Sequence, residues 1–141
     1  MNDKRTLGPW VRRFLMEHLP DDRNLSRNTQ QSYRDALRLL IVFAAGKLRK
    51  KADRLLLADI DADLVRVFLR HLEEERGCTI STRNQRLAAC HAFAAFVGQR
   101  SPEDLGWSAQ LRSVEFKRST RVTVGWRVHG LANVPNLCAA Y

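Results

Sequence analysis

The chain has 141 residues, 45% of them hydrophobic, with 24 Lys+Arg against 15 Asp+Glu and a formal charge of +9. That length suits one ordinary core and not two, and the charge draws the chain to polyanions, nucleic acid first and an anionic membrane second. The longest apolar run, residues 39–45, is far below the roughly 20 residues of a spanning helix, and the first nine residues lead into no signal-peptide core, so a cytoplasmic protein without a membrane partner is expected.

Pro9 stands where a first helical turn tolerates it, and Val11, Phe14, Leu15 and His18 recur at helical spacing, which predicts a short first helix ending at Pro20. Cap and turn residues fill 21–28. From there Tyr33, Ala36, Leu37, Leu40, Phe43 and Ala44 form an inward stripe, with Gln31, Arg34, Asp35 and Arg38 opposite. Gly46 and the basic run Lys47-Leu-Arg-Lys-Lys51 are expected to break this second helix, and residues 55–60 to make an irregular connector. Asp61 or Asp63 caps a third helix that turns Leu64, Val65, Phe68, Leu69 and Leu72 inward and stops at Gly77.

The fourth helix, over 79–97, is the most telling. Its first turns are polar and basic and its second half is almost wholly apolar. Ser81 is the expected N-cap; Thr82, Arg83, Asn84 and Arg86 follow before Leu87, Cys90, Ala94 and Val97 fall on one stripe, and Gly98 closes it. Such a helix can aim free N–H groups and the positive end of its dipole at phosphate while its rear sits in a core. Ser101-Pro-Glu-Asp-Leu105 starts a short fifth helix ending near Val114. After residue 121, Val122, Val124, Trp126 and Val128 alternate like a strand that lacks a partner.

Cys78, Cys90 and Cys138 are odd in number and scattered, so neither a disulfide framework nor a zinc site is indicated, and Cys90 reads as a small core hydrophobe. His18, His71 and His129 have no ligand or nucleophile at useful spacing. No cofactor, metal or small-molecule substrate is expected.

Taken in order, Ser26-Arg-Asn-Thr-Gln-Gln-Ser-Tyr33 with Leu37 and Phe43, then Ile60 before Leu64 and Phe68-Leu-Arg-His-Leu72, then Thr82-Arg-Asn-Gln-Arg-Leu87 with Phe93 and Phe96, resemble the core-binding domain of tyrosine recombinases of the phage integrase type. The resemblance runs from about Trp10 to about Arg118. It implies an all-α fold, a SAM-like bundle of four or five helices over residues 1–118, with residues 119–141 an irregular tail. It also implies a role in DNA integration and recombination, with double-stranded DNA and other recombinase protomers as partners. Two helices would reach the major groove, those starting near Arg27 and Ser81.

The DNA contacts expected on the second helix are Arg27, Asn28, Thr29, Gln31 and Arg34; capping by Ser26 or Asn28 and solvated arginines are the equal alternative. On the fourth they are Thr79, Ser81, Thr82, Arg83, Asn84 and Arg86, with pairing of Arg86 to the Glu73-Glu-Glu75 cluster as the alternative. His91 is expected to pack at the bundle edge. Lys117 and Arg118 fall where the family has a linker along the duplex and would contact its backbone. The tyrosine, arginines, lysine and histidines with which such recombinases cut DNA lie in a second domain, and this chain has no comparable stretch. His129-Gly-Leu-Ala132 has alanine where the family's His-x-x-Arg has arginine, and Tyr141 lacks upstream partners. The expectation is a truncated, non-enzymatic binding module; a helical protein-interaction module is the alternative.

Overall fold

The structure, a computed structural model, describes residues 6–21 and 25–118. The alternating segment after residue 121, His129 and Tyr141 lie outside the described residues. α1 (Leu7–Arg13) begins after Thr6, carries Pro9 in its first turn and buries Leu7, Trp10 and Val11. It does not stop at Pro20. The chain widens into a π-helical segment, Phe14–His18, in which the Leu19 N–H reaches the Phe14 carbonyl, and one more turn follows, Leu19–Asp21. The π register takes the ladder off the i→i−4 pattern that a proline ring obstructs, so Pro20 is accommodated.

α2 (Arg27–Leu48) is capped by Ser26, whose Oγ accepts the Thr29 N–H at 3.1 Å. Ala36, Leu37, Leu40 and Ala44 form its buried stripe. The expected break at Gly46 does not occur. Helix continues to Leu48 and ends at Arg49 in the left-handed region, φ 57°. One glycine in a helix costs about 1 kcal/mol, less than the burial of Leu40 and Ala44 in the preceding turns returns.

The connector is irregular, as expected, yet it belongs to the core. Two 3₁₀ turns, Ala52–Arg54 and Leu57–Asp59, sit around Leu55, Leu57 and Ile60, all three buried. The Leu7 N–H donates to the Leu55 carbonyl at 2.8 Å, which ties the start of α1 to this plug. Asp59 holds the turn by accepting from the Leu56 N–H at 2.9 Å and from Lys50 Nζ at 2.8 Å. Partial burial alone would raise the Asp59 carboxyl; the Lys50 and Leu56 hydrogen bonds and the Lys50 charge outweigh it and hold it below the usual range.

α3 (Ala62–Glu75) starts at Asp61, which accepts the Leu64 N–H at 2.8 Å, and buries the five residues its spacing predicts. Gly77, at φ 68°, turns the chain out of it. α4 (Ile80–Arg100) passes through Gly98 rather than ending there. Gly98 is instead the point of closest approach to α5 (Leu105–Arg112): a Cβ added there would stand 2.7 Å from Ser108 Oγ. α5 follows the turn Pro102–Asp104 and ends at Arg112, two residues short of Val114.

These helices surround an aromatic centre. Phe14 is fully buried, with ring centroids 5.6 Å from Phe93, 5.4 Å from Phe96 and 6.5 Å from Tyr33. Trp107 closes the α5 side edge-on to Phe93 and donates Nε1–H to the Ile60 carbonyl at 2.9 Å. Each such phenylalanine contributes roughly 1.5–3 kcal/mol by leaving water, so this cluster sets how α1, α2 and α4 sit together. Apart from a single bridge between Thr6 and Leu56, the described residues hold no strand.

Candidate nucleic-acid interface

The core brings the starts of α2 and α4 side by side. Between them lies an open groove of about 320 Å³, lined by Asn28, Thr29, Ser32 and Tyr33 from one helix and Gln85 and Ala88 from the other. Neither helix has an acid in its first turn. Two uncompensated dipole ends with unfilled N–H groups therefore face the same side, which is the electrostatic condition for holding phosphate. Arg27, Asn28, Gln31 and Arg34 are exposed along α2, and Thr29 is half-buried beside its cap. Gln31 donates to Asp35 Oδ1 at 3.2 Å. Gln85, exposed in the groove, carries no local sequence signal; its place one residue before a buried arginine is visible only once the helix is oriented.

α4 departs from expectation in three ways. Its N-cap is Thr79, not Ser81: Thr79 Oγ1 accepts the Thr82 N–H at 3.1 Å and Ser81 is left exposed one turn in. Thr82 and Arg86 are buried, 2% and 3% exposed, so they do not face solvent. Arg86 points into the bundle, where Nη1 reaches the Ser32 carbonyl at 3.5 Å and couples α4 to α2; it does not pair with the 73–75 cluster. The reason is periodicity: positions 82 and 86 share a face with Leu87, Ala89 and Phe93, and a long side chain there can only run along the core.

Arg83 and Asn84 face outward, and both are engaged with the chain that leaves α5. Asn84 Nδ2 donates to the Lys117 carbonyl at 2.8 Å, and the Lys117 N–H donates to Asn84 Oδ1 at 2.9 Å. Arg83 Nη1 donates to the Glu115 carbonyl at 3.1 Å. Lys117 Nζ sits 2.8 Å from Glu73 Oε2 of α3, and Arg83 Nε is 3.8 Å from Glu73 Oε1, so Arg83 takes the acidic partner expected for Arg86. Arg118 is exposed. His91 packs at the bundle edge, donating Nε2–H to the Val114 carbonyl at 2.9 Å with Phe116 edge-on at 5.0 Å. Burial lowers the His91 pKa, the Val114 bond opposes this, and the Arg112 charge adds to it.

Residues 11–101 match the family model described as phage integrase, N-terminal SAM-like domain. This chain belongs to the phage integrase family. Two curated proteins of Sinorhizobium fredii (strain NBRC 101917 / NGR234) are similar to it: "Putative integrase/recombinase y4rD", 41% identical over 119 residues, and "Putative integrase/recombinase y4rC", 35% identical over 126. These alignments cover 84% and 89% of this chain but 42% and 38% of the relatives, so the chain spans about two fifths of their length. No solved structure matches it significantly. Among the described residues no helix is long and apolar enough to cross a membrane, and no three His, Cys, Asp or Glu side chains stand together as a metal site. The Cys90 thiol is pushed up to about 12 by complete burial, which keeps it protonated.

Proposed function

We propose that this chain holds double-stranded DNA as the core-binding module of an integrase-like site-specific recombinase, with residues 1–118 as the binding unit. The observation that carries this is the pair of acid-free helix starts, Ser26-capped α2 and Thr79-capped α4, meeting at one groove beneath Arg27, Asn28, Gln31 and Arg34. Thr29, Thr79, Ser81 and Gln85 supply further short polar contacts, and Arg118 a backbone contact beyond them. Family membership and the names of the two relatives support the same reading. In this proposal the chain binds and does not cut, since the His129-Gly-Leu-Ala132 tetrad offers no phosphate-binding arginine.

Anisotropy titration of a labelled duplex between about 50 and 200 mM salt tests it. Affinity should fall steeply with salt. Replacing both Arg27 and Arg34 with Ala should flatten the log–log slope by about 0.9 for each phosphate no longer neutralised. Salt-independent binding, or an unchanged slope in the double variant, refutes the interface. A nicked-duplex trapping assay should give no covalent adduct on Tyr141; an adduct refutes the non-cutting assignment. A protein-docking reading draws on the furrow between α1 and α2, where Met16 and Val42 are 61% and 64% exposed. It expects duplex binding to be absent.

A further inference from the structure

Beside the groove lies a second, larger cleft of about 610 Å³, between α3 and the chain that leaves α5, and its lining mixes Arg66, Arg70, Arg83 and Lys117 with Glu73 and Glu74. Arg83 is held there in an unfinished state. Its side chain is only 12% exposed, and its Nε–H is buried without a hydrogen bond. Glu73 Oε1 faces it at 3.8 Å, beyond hydrogen-bonding distance, because the other carboxylate oxygen is drawn to Lys117 at 2.8 Å. A two-oxygen carboxylate anchored on α3 thus neutralises both cations and completes the hydrogen bonding of only one. A tetrahedral phosphate has an additional oxygen and no tether, and it can meet the Arg83 fork and the Lys117 ammonium together.

We propose that Glu73 occupies a phosphate site formed by Arg83 and Lys117, and that a backbone phosphate of nucleic acid displaces the Glu73 carboxylate from these two cations on binding. The inference rests on the DNA-holding role proposed above and adds a competitor within the fold. Duplex affinity in the resting chain is lower than its exposed charge would give, because an internal anion must be released first. The Asn84 bonds to the Lys117 main chain do not involve Glu73, so Lys117 stays in place when the carboxylate swings away.

The test is duplex titration of the full chain and three variants, Glu73→Gln, Glu74→Gln and Glu73→Gln with Arg83→Lys, each checked for folding by circular dichroism. Glu73→Gln should bind on the order of three- to tenfold tighter at low salt, with a salt slope steeper by about 0.9. Glu74→Gln removes the same charge one residue away and should bring a smaller gain and no added slope. Arg83→Lys in the Glu73→Gln background keeps the charge but loses the fork, and should abolish most of the gain. Inorganic phosphate should compete with duplex for wild type more strongly than chloride at equal ionic strength. Equal gains from both glutamines refute the site, as does wild-type binding that Glu73→Gln leaves unchanged. Absence of duplex binding by wild type and Glu73→Gln alike refutes the DNA-holding role, and this inference with it.

Discussion

Gly98→Ala is the sharpest probe of how α4 meets α5. In an open helical position the change would stabilise by roughly 0.5–1 kcal/mol, because alanine loses less backbone entropy. At Gly98 the new methyl would stand 2.7 Å from Ser108 Oγ and 2.8 Å from Ser108 Cβ. The Cβ belongs to the body of α5 and cannot swing away; Ser108 is 1% exposed and its Oγ accepts from Arg112 Nε at 3.2 Å. Overpacking of this kind costs about 1–3 kcal/mol, so the net expectation is destabilisation by about 1–2 kcal/mol. Urea unfolding followed by circular dichroism should show a lower midpoint with an unchanged m-value. Two controls fix the cause. Gly46→Ala, where nothing lies within 4 Å of the added methyl, should stabilise, and Ser108→Gly should restore most of what Gly98→Ala loses. A stabilising Gly98→Ala, or a loss that Ser108→Gly does not relieve, would refute the close approach.

Ser26→Ala and Thr79→Ala should each cost about 1 kcal/mol by removing a cap on α2 or α4, whereas Ser81→Ala should be nearly neutral; the same urea assay ranks them. Arg86→Met replaces a buried guanidinium, which has one long hydrogen bond and a buried unbonded Nε, by an apolar chain of similar length. Stability should stay level or rise, and the DNA salt slope should not move; a flattened slope would return Arg86 to the interface. His91 has its folded pKa lowered, so the unfolded chain binds more protons as pH falls below about 6.5. Stability should decline with acid from that point, and His91→Gln should remove part of the decline; identical pH profiles for the two proteins would refute the role of the buried neutral ring.

The helices were legible wherever a long apolar stripe met a strong cap. α3 is the clearest case, since Asp61 and Gly77 bracket five inward residues at regular spacing, and the structure reproduces both ends. Single punctuating residues misled. Pro20, Gly46 and Gly98 each mark a stop in a local reading, yet tertiary burial carried the chain through all three. The interface was legible in outline, as two polar helix starts, but not residue by residue. Thr79 and Ser81 are both good caps two positions apart, and choosing between them fixes which of Thr82, Arg83, Asn84 and Arg86 turn inward. The engagement of Arg83 and Asn84 by residues 115–117 joins positions more than 30 apart in sequence, and no local pattern encodes that.

The π-helical segment at Phe14–His18 gives α1 one residue more than a straight helix needs to reach the same point. Deleting any one residue there should let an ordinary helix form, but would rotate everything beyond it by about 100°. Leu19, now 1% exposed, would leave the core, and the segment entering α2 would start from a different side of the bundle. The length of this stretch is therefore under tighter constraint than its composition: substitutions that keep it apolar are tolerable, whereas a change in residue count alters the aim of the Arg27 end of the groove.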